Sequence, residues 1–320
     1  MSLHAVTLRQ LRALQAVIRT GSITRAAAEL HVTPPAVTMQ LQQLQELAGQ
    51  PLLERHGNET VATDAGREIL TAAERIDAAM ADCVAMLSSL AGAEKGTVSI
   101  GVVSTAKYFA PQALAAFRRL HPGISLRLTV GNRAEIMDRL RHFGIDVAIT
   151  GRPPLELEVE AEVIGDHPHL IVAPPDHPLA GQRDIPARLL AEETFLVREP
   201  GSGTRGLMER FFDKMHIHPP IAMQIDSNET IKQAVIACLG ISFISGHTVG
   251  AELADGRMVA LDVKGLPIVR QWYVVHLAQR RPVPAVRAII DFLIERGGSF
   301  LPSIAAADAV DRPGHARPRP

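Results

Sequence analysis

Ser22-Ile-Thr-Arg-Ala-Ala-Ala-Glu-Leu-His-Val-Thr-Pro-Pro-Ala-Val-Thr-Met-Gln-Leu-Gln-Gln-Leu-Gln45 is the stretch that decides the fold of the N-terminal region. Its apolar residues are spaced so that two short helices can each bury one face against a third helix at 8–19. Ser22 and Thr33 are predicted N-caps, and Pro34 and Pro35 suit the first turn of the second helix. This pattern predicts a helix-turn-helix whose buried face contains Ile23, Ala27, Leu30, Val32, Val37, Leu41 and Leu44.

The outward face of the second helix is polar and suits contact with DNA. Thr38, Met39, Gln42 and Gln43 point away from the apolar face, and hydroxyl and amide groups can read base edges in a major groove. The segment 51–63 follows, with two short extended pieces around a Gly-Asn turn. We therefore expect a β-wing after the helix-turn-helix.

The segment SITRAAAELHVTPPAVTMQLQQLQELAGQPLLERHGNETVATDAG resembles the N-terminal winged helix-turn-helix of LysR-type transcriptional regulators, and the resemblance continues to about Leu301. Pro34 stands where the family commonly has Gln, and Met39 where it commonly has Arg. The sequence PPAVTMQL of this helix is similar to that of the family branch that controls carbon-fixation operons. The resemblance implies base contacts by Pro34, Pro35, Thr38 and Met39 and phosphate contacts by Arg25, Arg55 and His56; Thr33 and Gln42 complete the candidate DNA-binding residues.

The charge of this region is low for a DNA-binding module. Residues 1–63 contain five Arg (9, 12, 19, 25, 55) and four Glu (29, 46, 54, 59), so the usual basic footprint is missing. A structural or protein-binding module is the alternative, but the outward face lacks the apolar patch that a partner surface needs. We expect DNA affinity to depend on a dimer or tetramer that multiplies the contacts.

Composition indicates a multidomain globular protein. The 320 residues are 47% hydrophobic and 21% charged, with a net charge of −1, so nucleic-acid binding must be local. Cys83 and Cys238 are too few for a disulfide scaffold, and the sequence near Met1 does not resemble a signal peptide. No stretch reads as a membrane span, and we expect a cytoplasmic protein.

A long helix is predicted after the wing, with an apolar seam for pairing. Its seam residues follow each other at spacings of 4, 3, 4, 3, 4 and 3, which indicates a coiled coil, although packing on its own domain is an alternative. The family dimerises through this helix, so the resemblance implies a homodimer through 69–90, a homotetramer, and RNA polymerase as a possible partner. Cys83 would be a small apolar residue of the seam, whose members are Ile69, Ala73, Ile76, Met80, Cys83, Leu87 and Leu90.

Beyond a polar, Gly-rich hinge at 92–96, strands and helices alternate and predict an α/β fold with a parallel sheet. The predicted elements include a strand that begins near 169, a helix at 206–215 and a last strand at 272–277. The resemblance implies a two-lobed, periplasmic-binding-protein-like effector domain. The domain prediction is a winged helix-turn-helix at 1–63, a linker helix and hinge at 64–92, an effector domain at 93–302 (lobe I 97–168 and 270–302, lobe II 169–269), and a disordered tail at 303–320.

Ligands of open α/β sheets bind at the carboxyl ends of the strands. The loops at those ends carry hydroxyls, cations and a Gly-rich turn that opens a helix, which together suit phosphate or carboxylate. A plain connection between strand and helix would also use glycine. The candidate effector-binding residues are Ser104, Thr105, Lys107, Arg152, Arg198, Gly201, Ser202, Gly203, Thr204, Arg205, Asn228 and His247, with Asn228 also a predicted helix cap.

The resemblance to the carbon-fixation branch implies a phosphorylated metabolite or NADPH as effector, and we predict a sugar phosphate or nucleotide. An aromatic carboxylate or a sulfur metabolite is the alternative within the family. No catalytic residues and no cofactor are predicted, because no Ser-His-Asp order, P-loop or dinucleotide fingerprint is present. The pairs His167/His169 and His216/His218 lack a further ligand at a suitable spacing, so no metal site is predicted.

Two proteins of other classes share parts of this pattern. An α/β enzyme carrying a DNA-binding module would turn over its bound metabolite. An exported solute receptor would need a signal peptide, which the sequence near Met1 does not resemble.

Overall fold

A computed structural model describes residues 3–57, 59–90 and 95–303. The chain forms two compact units, 1–87 and 88–320, which are described separately below. Most of the predicted hinge at 92–96 and all of the predicted tail beyond Ser303 lie outside the described residues. No helix among the described residues is long and apolar enough to cross a membrane.

The first unit is a winged helix-turn-helix followed by a long helix, as predicted. Leu14, Val17 and Leu44 are completely buried where the first three helices meet. Val32, by contrast, was wrongly predicted to be buried. It is 47% exposed because it lies in the turn between two helices, next to His31 with its left-handed backbone. The elements are α1 Leu8–Thr20, α2 Ile23–Glu29, α3 Pro34–Ala48, β1 Leu53–His56, β2 Glu59–Ala62 and α4 Asp64–Leu90.

The predicted helix starts are correct, but the predicted capping bonds are absent. Ser22 and Thr33 occupy the N-cap positions of α2 and α3, and neither side chain accepts a capping hydrogen bond. For α3 the reason lies in the two prolines of the first turn, which have no N–H to donate. The first available N–H, that of Ala36, bonds to the Thr33 carbonyl instead, at 3.0 Å.

The predicted seam on α4 divides into two parts. Ala73 is 1% exposed and, with half-buried Ile69, packs against the core of the helix-turn-helix, so here the alternative of packing on the helix's own domain is correct. Further along, Met80 is 53% and Leu87 62% exposed. Cys83 is also exposed on this part of the helix, and its place in a seam between subunits stays a prediction.

The second unit is built on a mixed seven-stranded sheet. Strand β3 pairs in parallel with β4 and β5, which confirms the predicted parallel unit, and the sheet order is β10-β6-β11-β5-β3-β4, with β9 pairing with β6. The elements are β3 Gly96–Val103, α5 Ala110–Leu120, β4 Ile124–Gly131, α6 Arg133–Arg141, β5 Val147–Thr150, β6 Val159–Ala173, β7 Phe195–Arg198, α7 Gly203–Met215, β8 Ile221–Ile225, α8 Asn228–Ile236, β9 Ser242–Ser245, α9 Gly250–Ala254, β10 Val259–Ala260, β11 Ile268–Leu277 and α10 Pro284–Arg296.

Two long antiparallel strands connect the two lobes. Strand β6 runs unbroken through the boundary predicted at 168/169, and β11 pairs with it from Ile268 opposite His169 to Leu277 opposite Val159. The C-terminal half of β6 then pairs with β9 and β10. Strands β7 and β8 form a parallel pair that is bonded to the start of β9 through the Leu196 N–H and the Ile241 carbonyl, at 2.8 Å.

Candidate DNA-binding surface and effector site

The candidate DNA-binding residues lie on the surface of the first unit. All are exposed except Thr38, which is half-buried. The Thr38 hydroxyl donates to the Pro34 carbonyl at 3.1 Å, so its oxygen still presents acceptor lone pairs. The wing is fixed by the Thr60 N–H, which donates to the Gly21 carbonyl at 3.1 Å. Arg55 and His56 stand close to the tip of this wing, because His56 pairs with Glu59.

One of the few arginines in this unit is neutralised locally. Arg19 forms an ion pair with Glu29. Arg25 and Arg55 are exposed, and no ion pair to either lies among the described residues. The positive charges of these two side chains are therefore not neutralised within the described part of the unit, as a phosphate contact requires.

Replacing Thr38 with alanine should weaken specific DNA binding more than non-specific binding, by about 1 kcal/mol or more, because a base-reading group is lost while the phosphate contacts remain. Thr38→Ser, which keeps the hydroxyl, is the matched control. Anisotropy titrations with operator and unrelated DNA at one salt concentration measure both affinities. Equal losses on the two DNAs would remove Thr38 from base readout.

A cavity of about 480 Å³ lies between the two lobes of the second unit. It is formed at the carboxyl ends of β3, β5 and β7 and at the N-terminal ends of α6 and α7. This is the edge at which open α/β sheets bind ligands, and the volume is that of a small-molecule site. The predicted residues that line the cavity are Ser104, Thr105, Arg152, Arg198, Gly201, Ser202, Gly203, Thr204 and Arg205.

Lys107, Asn228 and His247 do not line this cavity, so their assignment to it was wrong. The Lys107 ammonium lies 3.8 Å from a Glu229 carboxylate oxygen and stacks over Tyr108, on another surface. His247 is buried, and its Nδ1 accepts a hydrogen bond of 3.0 Å from the Trp272 indole N–H. Both side chains are therefore engaged away from the cavity wall.

Asn228 also differs from its predicted role as a helix cap. Ser227 is the N-cap of α8, and its hydroxyl accepts from the Thr230 N–H at 3.3 Å. Asn228 is the first helical residue and is 1% exposed. Its Oδ1 accepts a hydrogen bond of 2.5 Å from Arg198, so Asn228 supports a residue of the cavity wall without lining the cavity itself.

Arg198 lies on the cavity wall, but most of its donors are already used. Besides Asn228, its guanidinium contacts the Glu199 carboxylate at 2.8 and 2.9 Å and the Ser104 hydroxyl at 3.1 Å. The Glu199 carboxylate compensates the charge of this side chain, which is only 2% exposed, and the neutral Asn228 amide oxygen accepts one of its hydrogen bonds. Arg198 therefore holds lobe II against the end of β3 and orients Ser104.

Three arginines that the sequence analysis missed also face the cavity: Arg133, Arg210 and Arg270. Arg133 is 3.8 Å from Glu156. No described carboxylate lies within ion-pair distance of Arg152, Arg210 or Arg270. Burial, followed by repulsion from Arg210 and Arg152, lowers the pKa of Arg270. Glu156 and Glu209 also line the cavity but pair with Arg133 and Arg205, so the charges of Arg152, Arg210 and Arg270 favour an anion at this wall.

The N-terminus of α7 adds backbone donors to the same wall. Helix α7 begins at Gly203, three residues before the predicted start at Gly206, and Ser202 is its N-cap. Gly201 has a left-handed backbone (φ +85°), and its carbonyl accepts from the Ala134 N–H of α6 at 3.2 Å, which closes this edge of the cleft. Free N–H groups at a helix start attract anions, so they reinforce the arginines.

A group of buried histidine side chains lies next to the arginines of the cavity. His167, which lines the cavity, stacks on Trp272 with ring centroids 3.7 Å apart and contacts His169 at 4.2 Å. Burial lowers the pKa of His169 to about 3 and that of His247 to about 4, and it also lowers that of His167 well below its usual value. These rings are neutral at physiological pH, and the described residues contain no group of three or more side chains placed to bind a metal ion.

A winged helix-turn-helix with an exposed second helix, joined to a two-lobed domain with an arginine-lined cleft, is the architecture of a ligand-responsive DNA-binding regulator. Residues 8–67 match the family model "Bacterial regulatory helix-turn-helix protein, lysR family", and residues 91–298 match "LysR substrate binding domain". The chain belongs to the LysR family of transcriptional regulators.

The similar proteins are transcriptional regulators rather than enzymes. The "HTH-type transcriptional regulator CbbR" of Xanthobacter flavus is 52% identical over 304 residues, covering 94% of this chain and 91% of that protein. The "RuBisCO operon transcriptional regulator" of Allochromatium vinosum is 46% identical, covering 90% of this chain and 96% of its own. The regulatory domain of Synechocystis CcmR, solved in complex with 2-PG (2-phosphoglycolate), is 36% identical with a TM-score of 0.61, covering 63% of this chain and 97% of that domain.

Proposed function

We propose that the protein controls carbon-fixation genes in response to a phosphorylated metabolite bound in the cavity between the lobes. The observation that carries the proposal is the group of Arg152, Arg210 and Arg270, which have no carboxylate partner among the described residues and line one wall of the cavity. A phosphate dianion supplies the missing negative charge and accepts several guanidinium hydrogen bonds at once.

The relatives support the same assignment. Two are named for CbbR and for the RuBisCO operon, and the CcmR domain binds 2-phosphoglycolate. NADPH also carries phosphate groups and belongs to the proposed class of effector. An aromatic carboxylate, by contrast, offers a single anionic group to the three arginines. A phosphorylated effector therefore uses the arginine wall more fully.

The effector would act by changing how the lobes close. The contact of Arg198 with Ser104 and the hydrogen bond between Gly201 and Ala134 join the two lobes across the cleft. A ligand bound between the lobes would therefore change the distance between them. Because binding free energies are linked, an effector that changes DNA affinity must itself bind with altered affinity when DNA is present. We propose that DNA is bound by a dimer or a tetramer whose subunits pair through the exposed part of α4.

Calorimetric titration of the full chain tests the effector class. The panel contains 2-phosphoglycolate, ribulose bisphosphate, phosphoenolpyruvate, ATP and NADPH, with benzoate and inorganic sulfate as controls. Saturable binding of a phosphorylated compound that also changes operator affinity supports the proposal. Binding of benzoate or sulfate, together with no response to any phosphate, would keep the family and reject the phosphorylated effector.

A further inference from the structure

His167 is held rigidly at the cavity wall with one ring nitrogen unpaired. The ring is 3% exposed, and its Nε2 lies 2.9 Å from the Ser245 hydroxyl oxygen. Stacking on Trp272 fixes the plane of the ring. Nδ1, on the remaining edge, is buried and has no hydrogen-bond partner among the described residues. A buried polar atom of this kind costs free energy until a partner is supplied.

The unpaired nitrogen lies beside the arginine wall. His167 on β6 is the direct cross-strand partner of Arg270 on β11, so both side chains project from the same face of the sheet. Both residues line the cavity. A ligand whose anionic group reaches Arg270 therefore brings its neighbouring atoms close to the imidazole.

Gly151 lies against this nitrogen. A Cβ at this position would lie 2.8 Å from Nδ1 and 3.1 Å from Cε1 of His167. The first distance is shorter than real Cβ contacts and the second is tight, so a side chain at residue 151 would displace the imidazole. The glycine stands next to Arg152, at the end of β5, and itself lines the cavity.

The hydrogen bond to Ser245 decides which nitrogen carries the proton. Ser245 is completely buried, so its hydroxyl proton needs an acceptor, and His167 Nε2 is the acceptor that the described residues provide. A neutral imidazole has one N–H, and if Nε2 accepts from Ser245, the proton is on Nδ1. The free edge of the ring is therefore a donor.

We propose that the Nδ1–H of His167 selects effectors that carry, besides the phosphate, a second oxygen acceptor such as a carboxylate. This inference rests on the proposed function, because it takes a phosphate at the arginines as given. His167 would be a specificity-determining residue: the guanidinium groups bind the phosphate, and the imidazole recognises the acceptor at the other end of a short phosphomonoester.

The test compares two ligands of nearly the same shape in calorimetric titrations of the full chain. 2-Phosphoglycolate carries a carboxylate, and ethyl phosphate has a methyl group in its place. Wild type should prefer 2-phosphoglycolate, and His167→Gln should reduce that preference about tenfold while ethyl phosphate affinity stays near wild type, because one hydrogen bond to a charged group is lost. Gly151→Ala, whose methyl group would displace the imidazole from this position, should also reduce the preference for 2-phosphoglycolate.

His167→Asn is the matched control, because its amide nitrogen can take the place of Nδ1, whereas that of Gln takes the place of Nε2. His167→Asn should retain most of the preference. An unchanged preference in both His167→Gln and Gly151→Ala, or an equal loss in His167→Asn, would overturn the role of His167 while leaving the phosphate site intact. If wild type bound neither phosphate, the proposed function itself would fail, and this inference with it.

Discussion

Replacing Arg270 with glutamine is expected to weaken binding of a phosphorylated effector about 30- to 150-fold. The guanidinium faces the cavity and has no ion-pair partner among the described residues, so its charge is available to the ligand. A charge-assisted hydrogen bond in a partly buried site contributes about 2–3 kcal/mol, which corresponds to that range. Calorimetric titration of 2-phosphoglycolate measures the change.

The ligand-free stability of this variant separates a binding role from a folding role. Burial and repulsion from Arg210 and Arg152 lower the pKa of Arg270, so the native state gains nothing from this charge until an anion arrives. Arg270→Gln should therefore unfold at the same temperature as wild type or higher. Arg287→Gln, which removes an exposed charge on α10, is the control. Wild-type affinity in Arg270→Gln, or a clear fall in its melting temperature, would contradict this assignment.

Replacing Met80 with aspartate is expected to break the dimer. Met80 is 53% exposed on α4, and Ile76, Val84 and Leu87 are exposed nearby. Burial of a methionine contributes roughly 1.5–3 kcal/mol, and a two-fold seam contains two copies, so the dimer should lose about 3–6 kcal/mol. Its dissociation constant should rise at least 100-fold, and operator binding should fall with it.

Ala81→Asp is the matched control, because it adds the same charge at an exposed position outside the predicted seam. Sedimentation velocity at several concentrations measures assembly, and circular dichroism checks that α4 remains helical. A Met80→Asp protein that sediments as wild type does, or an Ala81→Asp protein that dissociates equally, would show that subunits do not pair through this face.

Local patterns predicted the elements of the first unit well, because each element there has its own signal. Pro34 and Pro35 mark the first turn of α3, and the Gly57 turn separates the two wing strands. The capping bonds failed because they depend on which N–H groups remain free, as the bond from Ala36 to the Thr33 carbonyl shows. Which seam residues of α4 pack inside the unit and which are exposed depends on how far the helix-turn-helix core extends along the helix. The spacing of apolar residues alone does not predict this extent.

The cavity was predicted in outline, and half of its cationic wall was missed. Gly151, Arg152 and the turn at 201–205 stand at the carboxyl ends of strands, where topology alone places ligands. Arg210 occupies the second turn of α7 and reads as an ordinary solvent-facing residue. Arg270 was missed because β11 was predicted to begin at Trp272, four residues later than its start at Ile268.

The N-terminal half of β6 was missed for a similar reason, although a signal was present. Val159-Glu-Ala-Glu-Val alternates apolar and polar residues with the period of a strand. Continuing this strand would have placed His167 opposite the last strand rather than in a loop. The pairing of His167 with Arg270 is a tertiary contact between residues about one hundred positions apart, so no local pattern encodes it.

A crystal structure of the full chain with 2-phosphoglycolate is the measurement that tests the central claim most directly. We expect the phosphate in the cavity between the lobes, in hydrogen-bond contact with Arg270 and with Arg152 or Arg210, and the carboxylate directed toward His167. A phosphate bound at another surface, such as beside Lys107, or a cavity that holds the ligand without contact to these arginines, would contradict the account.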